Sequence, residues 1–133
     1  MHLKFYVALL AINLMNANFA QSPEQVVQLQ LEAYNERNID KFMSVFSADI
    51  ELWTLGENQP WAKGQDSVRT VYANLFKNSP ELHSDVITRS ILGNKVIDYE
   101  KITGRNRGEI RYLVMIYEVR DGKIFRATAV REN

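Results

Sequence analysis

Two long runs of strand-forming residues, 109–119 and 124–131, are separated only by Arg120-Asp121-Gly122-Lys123. A connection this short, built on Asp-Gly, predicts a tight antiparallel hairpin, because the primed two-residue turn needs positive φ and glycine supplies it without strain. Ahead of it, residues 83–92 and 95–103 form a second pair about Gly93-Asn94, joined to the first through Gly104 to Gly108. Four strands with so little between them read as an antiparallel meander.

The segments in front of the meander have helical periodicity. Ser22-Pro23-Glu24-Gln25 has the form of a helix start, a capping Ser with Pro at the first helical position and Gln three residues after the Ser. Val27, Leu31 and Tyr34 then share one face, and a second helix after Asn38 is predicted to bury Ile39, Phe42, Met43 and Phe46. Val68, Val71, Tyr72, Leu75 and Phe76 follow the spacing of a buried stripe on a third helix, which Ser79-Pro80 ends. Between the second and third helices, Ile50 to Leu55 reads as a strand and Gly56 to Gly64 as a loop carrying Pro60 and Trp61. The order is α-α-β-α-β-β-β-β, an α+β protein with three helices packed on one face of a curved antiparallel sheet. Such a sheet closed by helices is a cone, and its open end is a natural pocket.

One domain accounts for the whole chain: 133 residues, 46% apolar, fill a single core of ordinary size. Residues 1–20 are set apart. Lys4 precedes a nearly unbroken apolar run from Phe5 to Met15, then small residues up to Ala20. This is the build of a secretory signal peptide, cleaved after Ala20 or after Ala17, with an ordinary N-terminal helix as the alternative. The run is shorter than the ~20 apolar residues that span a bilayer, so no membrane anchor is expected after cleavage. The mature domain, 21–133, is therefore expected to be secreted, with the periplasm as its destination. Its fifteen Lys and Arg against sixteen Asp and Glu leave a net charge of minus one. Nucleic-acid binding needs a clustered basic face, and the densest cluster, Arg105, Arg107 and Arg111, lies in and after one loop and reads as solvated. Cysteine is absent, which removes disulfides, thiol nucleophiles and sulfur metal ligands.

The strand 109–119 carries Arg111, Leu113, Met115 and Tyr117 on one face and Tyr112, Val114, Ile116 and Glu118 on the other. Both faces are largely apolar, whereas a sheet with one wet face alternates. A homodimer through the outer sheet face is the simplest partner.

Several strings in this order resemble the NTF2-like superfamily, in particular its SnoaL-like and ketosteroid-isomerase-like branch. They are Ala33-Tyr34-Asn35 through Phe46, Asp49-Ile50-Glu51-Leu52, Lys63 to Arg69, Leu92 to Glu100 and Ile116 to Ile124. The resemblance implies a cone-shaped α+β fold, commonly dimeric, with a deep apolar pocket. The family spans isomerases, cyclases, dehydratases, hydrolases and modules that only bind, so it implies no single reaction. The isomerases move a proton with a first-strand carboxylate and hold the oxyanion with a tyrosine and a protonated aspartic acid. Laying that pattern on this chain puts Thr54 at the base, Gln30 near the tyrosine and Met115 near the oxyanion acid, so none of the three roles survives in place. Tyr34, one turn from Gln30, offers a displaced hydroxyl.

Other groups remain. Asp98 and Glu100 are two apart on one strand and point to the same face; a carboxyl inside an apolar cone has its pKa raised and serves as acid or base near neutral pH. The alternative is a pair on the outer surface, or a partner for Arg89 or Arg111. His83, the lone histidine after residue 20, is a candidate contact that more often caps or packs. One His without Cys builds no ordinary metal shell, and no cofactor is implied. Trp53 and Trp61 flank the loop that forms the rim, with Arg111, Met115, Tyr117 and Arg131 as further candidate ligand contacts. Tyr72 and Phe76 read as plain core. The expected ligand is a small apolar or amphipathic molecule. It is either turned over by cofactor-free proton transfer through Asp98 or Glu100 with Tyr34 as donor, or merely bound.

Overall fold

The computed structural model describes residues 21–133; the segment read as a signal peptide lies outside them. Helix α1 (Pro23–Glu36) opens on the expected capping box: the Gln25 amide donates to Ser22 Oγ at 3.2 Å and the Ser22 amide to Gln25 Oε1 at 2.9 Å. Helix α2 (Ile39–Met43) is short and capped by Asn38. Phe46, read from periodicity as part of that helix, instead begins strand β1 (Phe46–Thr54), because the helix stops at Met43 and the buried ring is reached from the strand. A two-residue strand β2 (Ala62–Lys63) lies inside the segment read as a loop, pairing with Glu51 and Leu52. Helix α3 (Gln65–Asn78) follows, then β3 (His83–Leu92), β4 (Lys95–Thr103), β5 (Arg111–Arg120) and β6 (Lys123–Arg131).

The strands form one sheet in the order β2-β1-β6-β5-β4-β3. The meander from β3 to β6 is antiparallel throughout, and β1 joins it by pairing parallel with β6. Asp121 (φ 51°) and Gly122 (φ 72°) both take the left-handed conformation that the β5–β6 turn requires. The ladder register shifts between Phe46 and Glu51, between Val86 and Thr88, and between Glu118 and Val119. Such irregularities bend strands and increase twist, which lets the sheet curl around the helices.

The end of α1 is stitched to the start of β3. Asn35 exchanges two hydrogen bonds with the Ser84 backbone, and Arg37 donates to the Leu82 carbonyl at 2.8 Å. Under the helices, Tyr34, Phe42, Phe46, Tyr72 and Phe76 form one aromatic cluster, with the Phe42 and Tyr72 centroids 4.5 Å apart. Phe42, Phe46 and Phe76 of this cluster belong to the core.

Candidate functional site

Alternation along the three central strands sends every second side chain inward, and register aligns them in rungs. Glu100 of β4 lies opposite Leu113 of β5, which lies opposite Arg131 of β6; the next rung is Asp98, Met115 and Ala129, and the next Val96, Tyr117 and Ala127. Gln30, Leu31 and Tyr34 of α1 and Val71, Tyr72 and Leu75 of α3 come from the helical side. Between the two layers is a cavity of about 360 Å³. Its wall is mostly apolar, and Glu100 is the only carboxylate among its lining residues.

Glu100 is 4% exposed and accepts a hydrogen bond from Ser84 Oγ at 3.1 Å. Burial, then the negative charge of Asp98, push its pKa from the usual 4.5 up to about 7, against the opposing pull of the Ser84 bond and Arg89. Asp98 shares the inner face, as its spacing predicts, but is fully buried and holds Arg89 in a fork: Nε to Oδ1 at 2.7 Å and Nη2 to Oδ2 at 2.9 Å. Arg89 also donates to Gln28 Oε1. Asp98 does not line the cavity. The two carboxylates therefore divide: Glu100 faces the empty space, and Asp98 anchors β3 to β4 behind it.

Three phenols surround the same space. Burial raises the pKa of Tyr34 and Tyr117 well above the ordinary phenol value and pushes Tyr72 up to about 12, and the charge of Glu100 adds to all three. They stay protonated at any physiological pH. Gln30 Oε1, beside them in the wall, is buried without a hydrogen-bond partner among the described residues. Protonated phenols and an unsatisfied acceptor in a mostly apolar chamber, beside a carboxyl whose pKa burial raises to about 7, can orient a polar atom and exchange a proton with it.

Of the residues singled out from sequence, Tyr34, Glu100, Trp61, Arg111, Met115, Tyr117 and Arg131 line the cavity. Trp53 also reaches its wall, but its indole lies on the opposite sheet face from buried Leu52: its Nε1 donates to Glu51 and its ring stacks under Arg126 at 5.2 Å. The sequence order of β1 allowed either face, and the core chose Leu52. His83 lies outside the cavity, half exposed, with Nε2 3.0 Å from Asp85 Oδ1; its neighbour Ser84 takes the inward position. Tyr72, read as plain core, lines the cavity, as does Arg105 from the loop read as solvated. Ser84 lines the cavity as well, and so does Gln30, the residue that the isomerase pattern lays near its tyrosine. The inward period of β3 carried a signal for Ser84, while nothing local distinguished Gln30 from a surface glutamine.

The match to a family model for the SnoaL-like domain runs over residues 27–127. No curated protein matches the chain. Solved structures do. A cystatin-fold protein from Novosphingobium aromaticivorans superposes with TM-score 0.75 at 20% identity, covering 84% of this chain and 99% of its own. A putative polyketide cyclase from Sinorhizobium meliloti gives 0.67 at 18% identity over 78% and 92% of the two chains. An epoxide hydrolase from M. tuberculosis gives 0.67 at 14% over 83% and 82%. Identities this low speak to fold alone. Together with the curled sheet, the three helices and the chamber between them, the family match means that this chain belongs to the SnoaL-like domain family, with the NTF2-like fold.

Proposed function

We propose that the protein binds a small, largely apolar molecule in the cone and transfers a proton on it without a cofactor, in an isomerisation, dehydration or cyclisation. Glu100 is the acid or base, and Tyr34 is the hydrogen-bond donor to developing negative charge. The observation that carries this reading is the buried Glu100 carboxyl in the wall of an otherwise apolar chamber, bonded only to Ser84. Relatives in fold described as a polyketide cyclase and an epoxide hydrolase are compatible with such chemistry. The leader-like residues 1–20 make export part of the same proposal, and the intact mass of the exported protein is expected to begin at Gln21 or Asn18.

The test has two steps. Native mass spectrometry of the gently purified protein identifies the class of any co-purifying molecule, and compounds of that class are then screened for turnover by wild type and Glu100→Gln. The variant is expected to bind comparably and to lose about 10²-fold or more in kcat, the usual size of a general acid–base contribution. Equal turnover by both proteins contradicts the proposal. The competing reading is a non-catalytic receptor, favoured by the unpartnered Gln30 acceptor and by phenols that stay protonated, which are recognition groups without being acids or bases at neutral pH. Binding by both proteins with turnover by neither supports it.

A further inference from the structure

Three arginines, Arg105, Arg111 and Arg131, line the cavity. Their convergence follows from register. Ile102 of β4 pairs with Arg111, and Leu113, two residues further along β5, pairs with Arg131. Arg111 and Arg131 thus stand on neighbouring strands as a diagonal pair on the inner face, ~7–8 Å apart at their Cα atoms by the usual sheet spacing. Arg105 follows the end of β4 by two residues and reaches the same rim from the loop. That loop is held: Gly104 packs against the Glu81 backbone so closely that a Cβ would lie 1.9 Å from its carbonyl oxygen. The Asn106 amide donates to Ser79 Oγ at 3.1 Å and the Gly108 amide to the Arg105 carbonyl at 2.8 Å.

The three are not consumed by the protein. Arg69, Arg89, Arg120 and Arg126 each meet a carboxylate within ion-pair distance. Arg105 and Arg131 have no such partner among the described residues, and Arg111 has only the exposed Glu109 at 3.2 Å, a surface pair that a ligand exchanges at little cost. The charges of all three reach into the chamber: Arg105 and Arg111 act on Tyr34, and Arg105 and Arg131 on Tyr72. Trp61 and Val71, exposed among the lining residues, lie beside solvent and mark the opening.

Given the binding reading above, on which this rests, we infer that the ligand is an acid: an apolar body inside the cone and a carboxylate at its mouth, held by Arg105, Arg111 and Arg131. Arginine suits this task because its planar fork meets a carboxylate with two parallel hydrogen bonds.

The test uses matched pairs that differ only in the head: 1-naphthylacetic, 4-phenylbutyric and decanoic acids, each against its primary amide. Binding to the purified protein is read by calorimetry at pH 7 in low salt and again in 0.5 M salt, a concentration of the order that screens exposed charges within a few ångströms. At least one acid is expected to bind about tenfold more tightly than its amide, the scale of one charge-assisted hydrogen bond. The preference should shrink in high salt and in an Arg111→Gln/Arg131→Gln variant whose far-ultraviolet circular dichroism matches wild type. Acids and amides binding alike would leave the cone a binding site and overturn the inference about the head. A preference that persists in the double variant would also overturn it. Binding by none of the six would count against the cavity as an apolar binding site, and the inference would fall with it.

Discussion

Glu100 and Asp98 stand two residues apart on one face of β4, and their neighbours give them different work. Asp98 is closed off by the Arg89 fork, whereas Glu100 has one hydroxyl and open space before it. Removing one member of a buried pair strands the other charge, so Arg89→Met is expected to cost about 3–5 kcal/mol in urea unfolding, with much of it recovered in Arg89→Met/Asp98→Leu. Because Arg89 holds the Glu100 pKa down, the single variant should also raise it further. Glu100 itself makes stability depend on pH. Its folded pKa of about 7 exceeds the ordinary 4.5, so the folded state keeps a proton that the unfolded chain has released. Stability is therefore expected to fall as pH rises from about 4.5 to about 7 and to flatten above, a loss of order 3 kcal/mol at most. Denaturant midpoints of Glu100→Gln should lack that slope. Spacing in the sequence placed both carboxylates on one face and left open which face that is; the structure turns it inward. The sequence offered Arg89 as an alternative partner for the pair but not which carboxylate Arg89 takes, because that depends on the pairing of β3 with β4. His83 shows the related difficulty, since a shift of one residue along a strand reverses its face and Ser84 takes the inward place.

Elements with local signals were the legible ones. The capping box of α1 and the Asp121-Gly122 turn each depend on residues within four positions of one another, and each forms as its chemistry dictates; of the stripe on α3, Val68 and Phe76 are buried as read, Tyr72 and Leu75 are partly buried, and Val71 is exposed because that part of the helix borders the cavity rather than the core. The parallel pairing of β1 with β6 and the two-residue β2 depend on partners far along the chain or on a single pair of rungs, and no local pattern announces them. The Arg105 loop belongs with these. Its arginines look like a solvated run, and only the docking of Gly104 on Glu81 and of Asn106 on Ser79 turns Arg105 toward the cavity. Gly104→Ala should therefore cost about 2 kcal/mol or more, through both the clash and the positive φ of 73°. Gly108→Ala, with φ 72° but nothing within 4 Å, should cost only the ~1–2 kcal/mol of the left-handed backbone. Thermal or urea unfolding of the two variants checks the difference.

At the scale of the whole molecule, one face of the sheet encloses the chamber and the other is left over. That outer face carries Ile97, Tyr99, Tyr112, Val114, Ile116 and Val130, with Tyr99 and Tyr112 among the exposed large side chains. A second copy is the proposed cover, and Tyr112→Glu/Ile116→Glu is expected to turn a dimer into a monomer by light scattering after gel filtration, with the fold retained; a wild-type monomer would contradict it. The chamber is the part on which function depends, and its central claim is that the cone keeps a carboxyl poised near neutrality. Carbon-13 NMR titration of the glutamate side-chain carboxyls, with Glu100 assigned by its loss in Glu100→Gln, tests this directly. The account expects one carboxyl to titrate near pH 7 and to disappear in the variant. A Glu100 midpoint in the ordinary range below 5 would contradict it.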